Sequence, residues 1–291
     1  MTEAIESFDC FGARCTVLIG GPDGPARARA ARDLLLAWHD RFTRFDPDSE
    51  LSRLNADHRA AVPVTPLMGR LAAAVGDAAE LTGGLVDATL LDAIEDAGYR
   101  EDLQAPLDLP QALALAPPRR AASPRATGCP VSVDFHALLV RRPPGLRIDG
   151  GGLAKGLFAD VVAETLGDRT FAIDCAGDLR LGGAARAVHV ESPFDGGILH
   201  TFELSGGGVA TSGIGRRSWL DRTGAPAHHL LDPASGRPAF TGVVQATALA
   251  PTALEAEARA KAAVLSGPDG AADWLRHGGV IVLDDGNHLT I

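Results

Sequence analysis
The 291 residues are 46% hydrophobic and 22% charged, the balance of a globular chain that can bury a core without disulfide or metal staples. The net charge is −10, and basic residues gather only in pairs such as Arg119 with Arg120, Arg141 with Arg142 and Arg216 with Arg217, which argues against a nucleic-acid surface and suits a small anionic ligand. Ten Phe, three Trp and one Tyr are too few ring faces to stack a long single strand.

The length fits one large domain or roughly two. The N-terminus is acidic and lacks the basic start and apolar core of a signal peptide, and no apolar run approaches the ~20 residues of a membrane span. The expectation is a cytoplasmic protein without membrane insertion. Cys10, Cys15, Cys129 and Cys175 make no C-x-x-C pair, so neither a zinc ribbon nor a thioredoxin-like motif is supported and free buried thiols are expected. On a single strand, Cys10 and Cys15 would face opposite sides.

Along the chain, residues 14–19 read as a strand that stops at a Gly-Gly-Pro-Asp-Gly turn, and a helix follows over 25–43 with Leu34, Leu35, Trp38 and Phe42 at helical spacing. A second amphipathic helix follows Pro66, with Leu67, Leu71, Val75 and Ala78 on one face. A short helical piece falls at 110–118 and an exposed loop at 117–124. Residues 147–149 look like a strand end, followed by a helical stripe from Ala154 to Leu166. Strands are expected at 171–174, 187–190, 243–249 and 279–283, with a helix over 251–265 and a short one at Trp274 and Leu275. This mixture defines an α+β or mixed α/β class.

Three stretches carry chemistry. The run DGGGLAKG at 149–156 puts glycines at a helix start, where free amides and the helix dipole favour an anion and Lys155 adds a point charge. It lacks the Gly-Lys-Ser/Thr ending of a Walker loop, and a plain strand–turn–helix is the competing reading. The run HHLLDPASGRP at 228–238 sets histidines beside Asp232, which suits general-base work near neutral pH or merely a surface turn. On the helix after Pro251, Leu254, Ala258 and Leu265 define the inward face. Lys261 falls near its centre with Glu257 beside it, while Glu255 and Arg259 point away. That phase predicts a buried or cleft-facing Glu257–Lys261 pair, against the alternative of an exposed i,i+4 pair.

In order along the chain, these motifs resemble the FAD:protein FMN transferase family, also called ApbE or flavin transferases. The likeness runs from Phe11-Gly12-Ala13 to about Leu265. It includes Ser49-Glu50-Leu51-Ser52-Arg53-Leu54-Asn55, Gly84-Leu85-Val86-Asp87-Ala88-Thr89, the glycine run at 149–156, Cys175-Ala176-Gly177-Asp178, Ala210-Thr211-Ser212-Gly213 and His229-Leu230-Leu231-Asp232-Pro233. The resemblance implies one domain over 1–291, a bilobed α+β fold of mixed sheets with flanking helices, and FAD held in a cleft between lobes. It implies transfer of FMN from FAD to a Thr or Ser hydroxyl of an acceptor protein, with AMP released. FAD diphosphatase activity and a catalytically silent FAD-binding protein are the alternatives.

By the same resemblance, FAD would lie along Phe11, Phe45, Asp87, Gly151, Lys155, Leu157, Ser212 and Leu230, and His229 would take the hydroxyl proton. Mg²⁺ would be held by the carbonyl of Ala154 and by Glu257. Lys261 stands where the family has a threonine ligand; a protonated lysine offers donors only, so it would act by its charge.

Overall fold
The computed structural model describes residues 3–101, 103, 106–125 and 128–291; Met1 and Thr2 of the acidic N-terminus lie outside them. The first two strands, β1 (Glu3–Cys10) and β2 (Ala13–Gly20), form a hairpin closed by only two residues, Phe11 and Gly12, at φ of 56° and 74°. Two positive φ values match the right-handed strand twist, a geometry that costs Gly12 little and Phe11 more. Cys10 and Cys15 therefore sit on facing strands rather than on one, and both are buried, with Cys15 Sγ donating to the Cys10 carbonyl at 3.5 Å. All four cysteines are free.

The sheet continues through β3 (Phe171–Cys175), β4 (Asp178–Gly182), β5 (Gly207–Gly213), β6 (Val243–Ala250), β7 (Gly279–Leu283) and β8 (His288–Thr290). The eight strands lie side by side in chain order and every neighbouring pair is antiparallel. The strand expected at 187–190 forms, but it pairs in a separate hairpin, Arg186–Glu191 with Ile198–Leu204.

Helices layer across this sheet in the same order. Helix α1 (Gly24–Phe42) packs on β1 and β2 and is followed by α2 (Glu50–Ala56), α3 (Pro66–Leu81), α4 (Leu91–Asp96) and α5 (Leu109–Ala114). Helix α6 (Ala154–Glu164) packs on β3 and β4, and α7 (Ala253–Ser266) on β5 and β6. The starts are well specified. Pro25 and Pro66 occupy first-turn positions, and the hydroxyls of Ser49, Thr65 and Thr252 accept amides of the helices they cap. Leu35, Leu71, Val75, Phe158, Val17, Ile19 and Ile173 join one core between the first strands and the helices above them.

Two local expectations are corrected. Residues 147–149 do not form a strand. The side chain of Asn55 takes the place of a neighbouring strand: its Nδ2 donates to the Ile148 carbonyl at 2.8 Å and its Oδ1 accepts the Ile148 amide at 2.9 Å. Arg259, expected to point away from the core, is 7% exposed because the turn at Ala272–Trp274 covers that face of α7. Its guanidinium bonds Glu255 at 2.7 Å and the Trp274 carbonyl at 3.3 Å. Among the described residues no helix is long and apolar enough to cross a membrane.

Candidate active site
Helix α6 and helix α7 cross at Gly156, where a β-carbon would lie 2.8 Å from the backbone of Ala253 and Leu254. Only glycine permits this approach. Asp160, one turn further along α6, accepts the Ala253 and Leu254 amides at 2.9 and 3.0 Å and so caps α7 from outside. The crossing sets the rotation of α7 and brings Glu257 and Lys261 under the glycine run. Glu257 Oε2 accepts the Gly156 amide at 3.0 Å, Oε1 accepts Lys261 Nζ at 2.9 Å, and a β-carbon on Gly152 would sit 3.2 Å from Lys261 Cε. Glu257 is fully buried and the Lys261 side chain is 11% exposed.

The glycine run itself is braced from below. Glu50 Oε1 accepts the Thr65 amide and hydroxyl at 3.1 and 2.6 Å, while its Oε2 lies 2.5 Å from Arg41. Together with the Asn55 bracket, this ties α1, α2 and α3 to the segment entering Asp149. The Asp149 amide donates to the Ala88 carbonyl at 2.8 Å, and Asp149 Oδ1 accepts the Gly151 amide at 2.9 Å. Beside it, Asp87 Oδ1 accepts the Thr89 amide and hydroxyl at 2.8 and 2.6 Å, and Oδ2 faces Arg125 at 3.2 Å.

These parts surround a cavity of about 1400 Å³. Phe11, Phe45, Asp87, Gly151, Ala154, Lys155, Ser212, His229, Leu230, Glu257 and Lys261 all line it. Leu157 does not: it is 4% exposed within the core, because one residue along a helix is a rotation of ~100° and the next side chain, Phe158, takes the cavity wall. Phe158 also packs against Trp38 and Phe42 at 5.3 Å between ring centroids.

The sequence assigned no role to two of the lining side chains, Arg44 and Arg217. The Arg44 guanidinium lies over both the Phe45 ring (4.3 Å) and the Tyr99 ring (4.6 Å), which meet edge-on at 5.7 Å, and donates to the Tyr99 carbonyl at 2.7 Å. Arg217 donates to the Phe11 carbonyl at 3.3 Å, bracing the hairpin tip from 206 residues away. Behind the cavity wall, Asp178 of the 175–178 motif is 1% exposed and its Oδ2 faces Lys155 Nζ at 2.5 Å.

Electrostatics sort these groups. Burial, then the Glu257 charge, push the Asp178 acid up to about 7. Burial opposes the Lys155 ammonium, but Asp178 and then Glu257 outweigh it and hold its pKa above the usual lysine value. Burial likewise opposes the Glu257 carboxylate, and Lys261 and then Lys155 reverse the balance and hold its pKa low. His229 is pushed well below the ordinary histidine range by burial, then by Arg217, His228 and Lys261, so it is a neutral imidazole at physiological pH; its Nδ1 is unpartnered. The adjacent His228 is a core residue. It is fully buried, its Nδ1 accepts the Leu230 amide at 3.2 Å, and its ring meets Phe240 edge-on at 4.7 Å.

The arrangement does not fit Mg²⁺ at Glu257 and Ala154. Both Glu257 oxygens already accept hydrogen bonds, and the Lys261 ammonium occupies the space that a dication beside Oε1 would need. Among the described residues, no group of three or more His, Cys, Asp or Glu side chains is placed to hold a metal ion.

An α+β fold whose cavity joins a helix N-terminus, the Lys155 and Lys261 ammoniums, a neutral imidazole and an aromatic wall suits an extended, ring-bearing anion. The ApbE family model matches residues 11–283, and the chain belongs to the ApbE family. Relatives named FAD:protein FMN transferase include that of Salmonella typhimurium, 26% identical over 256 residues, covering 83% of this chain and 71% of that protein. The Klebsiella pneumoniae protein of the same name is 27% identical over 283 residues, covering 88% of this chain and 77% of its own. In fold, the chain is similar to the ApbE protein of Thermotoga maritima, with a TM-score of 0.79 at 24% identity over 99% of this chain and 97% of that one. It is also similar to the flavin transferase ApbE of Vibrio cholerae, with a TM-score of 0.74 at 22% identity over 99% and 97%.

Proposed function
We propose that this protein binds FAD in the cavity, transfers its FMN half to a Thr or Ser hydroxyl of an acceptor protein, and releases AMP. Family membership supports the reaction class. The observation that carries it to this chain is the placement of a neutral His229 in the same cavity as the glycine-run helix start and the Lys155 and Lys261 ammoniums. Phe11, Phe45, Asp87, Gly151, Ser212 and Leu230 line the space the dinucleotide would fill.

In this reading His229 accepts the proton of the acceptor hydroxyl. The hydroxyl oxygen bonds to the FMN phosphorus, the bond from that phosphorus to the bridging oxygen breaks, and AMP leaves with the electron pair. Charge accumulating on the phosphoryl oxygens is stabilised by the fixed ammonium groups and the helix start at Ala154. No step runs through Mg²⁺. Four free cysteines suit a reducing compartment, which supports a cytoplasmic setting.

One observation favours the binding-only alternative: Lys155 is already committed to Asp178 and Lys261 to Glu257. Incubating the protein with FAD and a flavoprotein acceptor, then measuring AMP and covalently bound flavin, separates the readings. Equimolar AMP and protein-bound FMN is the expected result. AMP without bound flavin indicates the diphosphatase, and bound FAD without AMP indicates the silent module.

A further inference from the structure
Below the glycine run, four charged side chains meet with no net negative charge. Lys155 lies 2.5 Å from Asp178 and Lys261 lies 2.9 Å from Glu257, so two carboxylates face two ammoniums. Protonating Asp178 would only make the group more positive. Arg217 adds a further positive charge felt at both Lys155 and His229, and the one further carboxylate near Lys155, Asp174, also faces Arg216. Sites for Mg²⁺ present free anionic oxygens, and this one presents none at Glu257, whose two oxygens are taken by Lys261 and by the Gly156 amide.

The Lys261 ammonium is also positioned rather than mobile. Its stem packs against the backbone of Gly152, its head is tied to a fully buried carboxylate, and that carboxylate is tied to the first turn of α6. This is the kind of pre-set charge that acts on an anion without reorganising.

We propose that Lys261 replaces the divalent cation in this chain: its ammonium, braced by Glu257 beneath Gly152, donates to the FAD diphosphate oxygens, and binding is independent of metal. The proposal rests on the FAD reading above. It predicts that FAD affinity is the same in excess EDTA and in excess Mg²⁺, and that Mn²⁺ titrated into the protein gives no stoichiometric binding by calorimetry. Lys261→Met should weaken FAD roughly 10–100-fold in both buffers, the range expected for losing a charge-assisted hydrogen bond.

Because Lys261→Met leaves Glu257 buried without its partner, the double variant Glu257→Gln/Lys261→Met is the companion, since it removes both charges at similar volume. It should fold, as judged by thermal melting, and show the same loss of affinity. Lys261→Thr frees one Glu257 oxygen and adds a hydroxyl beside it, and should make FAD binding depend on Mg²⁺. Wild-type affinity that rises about tenfold or more with Mg²⁺, stoichiometric Mn²⁺ binding, or a folded double variant with wild-type affinity would each overturn the proposal. Metal-independent FAD binding without transfer to any acceptor would instead remove the transferase reading and leave this one standing. Failure to bind FAD in either buffer removes both.

Discussion

Replacing His229 by Ala tests the proton acceptor most directly. Loss of a positioned general base slows a reaction by roughly 10²–10⁴-fold, and FAD affinity should hold because the phosphate-facing charges belong to other side chains. The pH profile is the sharper consequence. A histidine with its ordinary pKa near 6.5 would be only about one-tenth neutral at pH 5.5, so the rate would fall about tenfold between pH 7.5 and 5.5. The His229 pKa is depressed well below that value by burial and by the Arg217 charge. Its neutral form therefore persists further into acid than an ordinary histidine's, and the fall in rate should be well short of tenfold. The assay is single-turnover AMP release with saturating FAD and acceptor from pH 5.5 to 8, with circular dichroism confirming the fold at each pH. A tenfold loss across that range with an apparent pKa of 6–7, or a His229→Ala variant that keeps the wild-type rate, would refute the reasoning.

Three further outcomes are expected. Leu157→Ala should destabilise the protein by about 2–5 kcal/mol in urea melts while FAD affinity stays unchanged, since the side chain fills the core and not the cavity; a weaker FAD complex with unaltered stability would reverse that placement. His228 is pushed down to about 3 by burial, so the unfolded chain binds its proton first: this contribution is full above pH 6.5 and is lost as pH falls. Urea melts should show stability falling by about 2 kcal/mol between pH 7 and 5 from this group, and His228→Gln should flatten that slope; an unchanged slope would mean the ring is not held neutral. Phe45→Ala should weaken FAD roughly tenfold by equilibrium titration, because the ring held against Arg44 supplies an aromatic wall; an unaltered affinity would place the flavin and adenine elsewhere.

What was legible in the sequence was what depends on neighbours a few residues apart. Hydrophobic spacing with prolines at the starts located α1 and α7 to within a few residues of their observed ends and the start of α3 at Pro66, and the apolar stripe located α6. The motif at residues 49–55 was visible as a pattern, but its physics is architectural. Ser49 caps a helix, Glu50 clamps Arg41 and Thr65, and Asn55 stands in for a missing strand beside Ile148. A strand reading at 147–149 failed for that reason: the Ile148 amide and carbonyl are paired, but their partner is one side chain. The single-strand condition on Cys10 and Cys15 does not apply, because Phe11 adopts a positive φ that residue type alone does not announce and turns the chain between them.

The long-range contacts of the side chains around the cavity left no local trace. Arg44 reaches Tyr99 across 55 residues, Lys155 meets Asp178 at the end of a hairpin, and Arg217 grips Phe11 across 206. The pair on α7 falls between these cases. Helical phase was enough to turn Lys261 and Glu257 inward, because i,i+4 geometry is local. What they face follows from the α6–α7 crossing at Gly156, a contact 101 residues distant from Glu257 in sequence. That crossing takes a free carboxylate and converts it into the anchor of an ammonium. The sequence alone already reads a lysine in the threonine position as a charge in place of a ligand; the structure adds what anchors that charge beside the space proposed for the diphosphate.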